Sequence, residues 1–104
     1  LKRLEWDRMR DAIATATHNQ PSIRLSELLR VRPAKAGVIE LIGWLQIAHD
    51  DGHRIDHDAE EIIDVQTTDE TTRQPQLVRV KMPLVTFHRT EEKKNESLRR
   101  MRPR

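Results

Sequence analysis

Apolar side chains gather most densely between Pro33 and His49, in PAKAGVIELIGWLQIAH, and the rest of the chain covers, frames or trails away from that stretch. The spacing predicts a buried helix. On a helical wheel Val38, Leu41, Ile42, Trp44, Leu45 and Ala48 share one broad sector, the i, i+3, i+4, i+7 recurrence of a core-facing helix. The opposite sector holds Ala36, Ile39, Gly43 and Ile47, with only Lys35, Glu40 and Gln46 as polar company, so that face is small and apolar rather than charged. Pro33 suits the first turn and Gly52 the end.

The flanking segments follow the same logic. Trp6, Met9, Ile13 and Ala16 recur three or four apart, predicting an opening helix from Glu5 to about Thr17 that Asn19, Gln20 and Pro21 terminate. Ser22 to Leu25 is a short extended stretch, after which Ser26 suits the cap and Glu27 the positive end of a second helix reaching about Arg32. Beyond Gly52 the segment HRIDHDAEE reads as a polar loop. Then Ile62–Thr68 and Leu77–Phe87 are rich in β-branched residues, and Val78, Val80 and Met82 alternate with Arg79 and Lys81 as in a strand with one wet face. Asp69–Pro75 is a loop of hairpin length, and Pro83, which donates no backbone hydrogen bond, belongs on an edge or at a bulge. Three helices followed by a hairpin describe an α+β winged helix, with Ser22–Leu25 as the third strand of a two- to three-stranded wing.

Composition narrows the reading. The 104 residues, 36% hydrophobic with two tryptophans and one phenylalanine, leave room for one domain of modest core. There is no run long and apolar enough for a membrane span and no signal-peptide pattern. The absence of cysteine fits a reducing compartment. A start at Leu1, directly in a helix, reads as a piece of a longer protein. The net charge of +2 is unevenly spread: residues 88–104 hold seven of the 19 Lys and Arg and three of the 17 Asp and Glu, leaving 12 basic and 14 acidic residues in 1–87. A mildly acidic winged-helix body, 1–87, therefore carries a basic, flexible extension, 88–104, in which Arg99, Arg100, Arg102 and Arg104 are the candidate nucleic-acid contacts.

Little points to catalysis. His49, His53 and His57 are spaced four apart, which on a continuous helix would stack three imidazoles for zinc, but Gly52 interrupts them and the bland reading is a charged loop. No phosphate-cradling glycine loop, HExxH or GxSxG is present. Glu60 and Glu61 read as solvated surface rather than an acid/base pair. The expectation is a non-enzyme without metal, cofactor or small-molecule ligand. Direct DNA reading is the obvious alternative for this topology. Yet a groove-reading helix needs Arg, Lys, Asn or Gln outward, and the third helix offers Lys35 and Gln46 among alanine, glycine and isoleucine. The hairpin tip, with Asp69 and Glu70 against Arg73, is acidic, although Arg24, Arg30, Arg32, Arg79 and Lys81 could form a patch. A protein partner accounts better for Ala36, Ile39, Gly43 and Ile47, unless the opening helix or the extension covers that face. A hairpin edge bearing Leu84, Val85 and Phe87 offers a second mode, by strand addition.

The residues assembled so far resemble a family. Leu25-Ser26-Glu27-Leu28-Leu29, Pro33 followed by Gly37 and Glu40-Leu41-Ile42-Gly43-Trp44-Leu45, Ile55-Asp56 with Asp58, and Met82-Pro83-Leu84-Val85-Thr86-Phe87 before Arg89 are similar to the carboxy-terminal region of MukF-like kleisins of Wadjet and MksBEFG-type condensin systems (JetA, MksF). The likeness spans about Trp6 to Arg89, and the extension beyond Arg89 departs from it. The resemblance implies a kleisin subunit whose winged helix docks on the cap side of an SMC-like ATPase head, beside other subunits of the complex. It also implies a cytoplasmic, nucleoid-associated setting in plasmid defence or chromosome organisation, where the complex extrudes and cuts circular DNA.

Overall fold

The computed structural model of the chain describes residues 3–31 and 37–89. Three helices and three strands follow one another along these residues: α1 Arg3–Asn19, β1 Ser22–Arg24, α2 Leu25–Val31, α3 Val38–Asp50, β2 Arg54–Thr68 and β3 Pro75–His88. The sheet is antiparallel with order β1-β3-β2, so the last strand is the central one. This is a mixed α+β fold whose helices pack on one small sheet.

α1 forms where expected and buries Met9, Ala12, Ile13 and Thr17. Trp6 is half-buried and lies under the Arg10 guanidinium, 5.8 Å from the ring centroid. Arg10 ties α1 to the end of α3 through two hydrogen bonds to Asp51, of 2.8 and 3.1 Å. Those bonds hold the Arg10 pKa above its ordinary value. Gly52, in the left-handed region at φ 73°, stops α3, the conformation glycine adopts without steric cost.

Two expectations about strands change. The segment from Arg54, read as loop, already belongs to β2, because backbone pairing to β3 outweighs its polar composition. Its register jumps from Asp56 opposite Leu84 to Glu60 opposite Pro83, so His57, Asp58 and Ala59 bulge out of the ladder. Pro83 sits at this bulge, where a missing amide costs no ladder bond. In β3, Val85 and Phe87 are fully buried, and Phe87 pairs with Ile23 of β1. The proposed open edge at Leu84, Val85 and Phe87 is therefore corrected: Val85 and Phe87 are core, Leu84 is half-buried, and β1 closes the edge from Thr86 to His88.

The α2 terminus is also corrected. Ser26 is not a cap; it lies inside the helix, and its amide donates to Glu61 Oε1 at 2.8 Å. Glu61 Oε2 accepts, at a longer 3.4 Å, from the Val85 amide. Glu61 is only 6% exposed, against the surface position expected of it, because it turns inward to accept from these two amides. Its neighbour Glu60 is exposed.

The core joins Leu25, Leu28, Trp44, Ile47, Ala48, Ile63, Val65, Val85 and Phe87 with the α1 residues. Trp44 meets Phe87 edge-on, with centroids 5.9 Å apart. β3 continues through His88, and Arg89 then closes on α1. Its guanidinium donates to the Thr17 carbonyl at 2.9 Å and to the His18 carbonyl at 2.6 Å, satisfying carbonyls that the helix end leaves open. Arg89 thus joins the body, two residues past the boundary expected at Phe87. The nucleic-acid candidates Arg99, Arg100, Arg102 and Arg104 lie outside the described residues.

Glu61→Ala strips both amides of their acceptor and should lower stability by about 2–4 kcal/mol in urea denaturation, with Glu61→Gln losing about half as much. A Glu61→Ala midpoint equal to the parent's would show that these amides are satisfied otherwise.

Candidate functional site

The clearest unassigned surface is the outward side of α3. The helix is apolar nearly all the way round, so periodicity alone leaves its rotation open, and packing decides. Trp44 must reach Phe87, and Gly43, Ile47 and Ala48 follow it inward. The buried sector is consequently turned by about a quarter turn from the one the spacing suggested. Of the three partner-binding candidates of this helix among the described residues, Ile39 stays on the surface, at 68% exposure. Ile47 is 0% exposed and Gly43 is buried, so both are corrected to core residues, while Ala36 lies outside the described residues.

What faces out instead is Val38, Ile39 and Ile42, the last at 60% exposure. Val31, at the end of α2, is 75% exposed on the other side of the connection that leads into α3. Three branched aliphatic side chains within five residues of a helix, all exposed, are costly to leave in water and suit burial against another surface. Sequence reasoning placed Val38 and Ile42 inward, and the only available signal was that the helix has more apolar positions than one face can bury.

The electrostatics of the same face are set by few charges. α3 carries no Arg or Lys. Its outward amide, Gln46, donates to Asp50 at 2.8 Å and is occupied within the helix, and His49 lies 3.4 Å from the same carboxylate. Phosphates would meet Asp50 and aliphatic side chains here rather than donors.

The histidines do not converge. His49 is exposed on α3 and His57 is exposed in the bulge. His53 lies edge-on to Phe87 at 5.1 Å and to His88 at 5.0 Å, with Nδ1 accepting from the His88 amide at 3.3 Å. Among the described residues no group of three or more His, Cys, Asp or Glu could hold a metal ion. Glu61, the one buried carboxylate among them, is committed to two backbone amides.

A second feature lies between the helices. Met9, Ala12, Leu28 and Trp44 line a groove of about 210 Å³, with Glu5, Arg8 and Glu40 beside them. The Trp44 indole nitrogen is buried and has no hydrogen-bond partner among the described residues. Buried donors are nearly always satisfied, which makes this one conspicuous.

Residues 2–87 match a protein family described as a protein of unknown function (DUF3375). No curated protein matches the chain.

Because Ile42 is outside the core and Ile47 inside it, Ile42→Asp should leave stability within about 0.5 kcal/mol of the parent, whereas Ile47→Asp, burying an unpaired charge, should cost more than about 4 kcal/mol. Urea denaturation followed by far-UV circular dichroism checks both; equal losses would refute the helix rotation.

Proposed function

The chain belongs to the DUF3375 family, and on that premise we propose that it is a winged-helix domain of a kleisin-type subunit that docks on the cap side of an SMC-like ATPase head. The observation that carries the reading is the exposed aliphatic stripe of α3, Val38, Ile39 and Ile42, on a helix without a single Lys or Arg. The succession of elements and the sheet order β1-β3-β2 support the winged-helix assignment. The likeness of Leu25–Leu29, Gly37–Leu45 and Met82–Phe87 to MukF-like kleisins supports the identity of the partner.

In this role the domain performs no chemistry and takes no cofactor; it holds an engine together by apolar contact. Other subunits of a bacterial condensin-like complex for plasmid defence or chromosome organisation are its neighbours, in the cytoplasm at the nucleoid. DNA is met indirectly, or weakly through the basic residues Arg99, Arg100, Arg102 and Arg104. Among the described residues no helix is long and apolar enough to cross a membrane.

A DNA-binding module is the rival, and one observation favours it. Arg24 and Arg54 pair with Thr86 from either side and therefore stand in one row across the sheet, both exposed. Arg24, however, already donates to Glu27 at 2.7 Å.

Titration against the purified ATPase head separates the two. Ile39→Asp and Ile42→Asp should each weaken head binding at least roughly tenfold. Raising salt from about 50 to 200 mM should change it less than about threefold, whereas contact with six or more phosphates would cost about a thousandfold. Head binding untouched by both substitutions would reject this face as the interface.

A further inference from the structure

The β2–β3 hairpin has a flank that nothing described above uses. β1 pairs with β3 only from Thr86 to His88, so the earlier part of β3 has no strand beside it on that side. Which backbone groups face this flank follows from the hairpin tip, where the Asp69 amide donates to the Gln74 carbonyl at 2.9 Å. Antiparallel pairs alternate between bonded and unbonded, so Gln76, Val78, Val80 and Met82 exchange their bonds with β2, and Leu77, Arg79 and Lys81 turn theirs outward. Pro75 and Pro83 fall in the same outward series, where neither sacrifices a ladder bond. Three amides without a strand partner, bracketed by two prolines, form a short and bounded edge.

The side chains along this edge define what fits it. Alternation puts Arg79 and Lys81 on the wet face, with Leu77 beside them at 72% exposure. Lys81 stands opposite Ile62 and so meets no carboxylate directly across the ladder, whereas Arg79 lies 3.5 Å from Asp64 in a pair that leaves its side chain 82% exposed. On the other face Val78 is exposed and Val80 half-buried, continuing the apolar surface of Ile63 and Val65. A strand laid on this flank stands next to the basic row, with Glu60 and Asp64 one strand further away, and its alternate side chains prolong the apolar face. We infer that the flank of β3 from Leu77 to Lys81 takes an extended segment of a partner polypeptide in which acidic residues alternate with aliphatic ones, the acidic side chains beside Arg79 and Lys81 and the aliphatic ones beside Val78 and Val80.

This surface belongs to the hairpin and not to α3, so it is measured without the ATPase head and stands or falls independently of the Val38, Ile39 and Ile42 stripe. By the same alternation Glu60, Ile62 and Asp64 turn their amides to the opposite flank, along β2. That flank carries acidic side chains and serves as the internal control.

The test is amide hydrogen exchange of the full chain, followed residue by residue by NMR, on addition of acetyl-Glu-Val-Glu-Val-Glu-amide. Exchange at Leu77, Arg79 and Lys81 should slow at least roughly fivefold at saturation, and exchange at Ile62 and Asp64 should not change. Acetyl-Lys-Val-Lys-Val-Lys-amide should bind at least roughly threefold more weakly, and the double variant Arg79→Glu, Lys81→Glu should reverse that order. Arg79→Pro removes the middle amide where no ladder bond is lost, as at Pro75 and Pro83, and should abolish the protection; if that variant does not fold, the double variant decides. Protection by neither peptide, equal protection by both, or protection of the β2 flank instead overturns the inference. Protection that needs no peptide and rises with protein concentration overturns it too, and makes a second copy of the chain the occupant.

Discussion

A single buried carboxylate sets the geometry on which the rest relies. Glu61 reaches from β2 to the first turn of α2 and to the backbone of β3, joining three elements that share no covalent neighbourhood. β1 stops pairing with β3 at Arg24 opposite Thr86, next to Val85, and the start of a helix leaves amides without partners. One side chain answers both. With β3 held between β1 and β2, Phe87 lies at the centre of the core, and Trp44 has only one direction in which to pack against it. That contact determines which way α3 faces, and so which aliphatic side chains are left in water.

The order of helices and strands was legible from periodicity alone, as were the central apolar helix, the glycine that ends it and the proline at the bulge. Each rests on local chemistry: spacing, a required positive φ, a missing amide. What depended on packing was not legible. α3 has isoleucine or valine on every side, so the wheel could not separate Ile42 from Ile47. The polar text of Arg54–Glu60 concealed a strand, because its stabilisation comes from pairing with β3 rather than from its own residues. Glu61 gave no sign of burial, since its role exists only once α2 and β3 are in place. The apolar surplus of the third helix was legible, but the aliphatic side chains it leaves exposed lie elsewhere around the helix axis than expected.

The distribution of charge follows from this arrangement. The exposed stripe of α3 is aliphatic, and three arginines near the sheet and α1 hold elements together: Arg10 with Asp51, Arg24 with Glu27, Arg89 with the end of α1. Guanidinium groups suit that work because they deliver several donors in one rigid plane. Cationic side chains are thereby turned to internal bracing, which leaves the helix surface electrically quiet.

Arg89 also couples the last strand to the first helix. β3 is bonded along both flanks near its end, and the arginine that follows is hooked onto two carbonyls of a different element. Parting α1 from the sheet therefore means breaking the guanidinium–carbonyl bonds of Arg89 together with the β1–β3 ladder, so the end of the first helix and the last strand separate jointly or not at all.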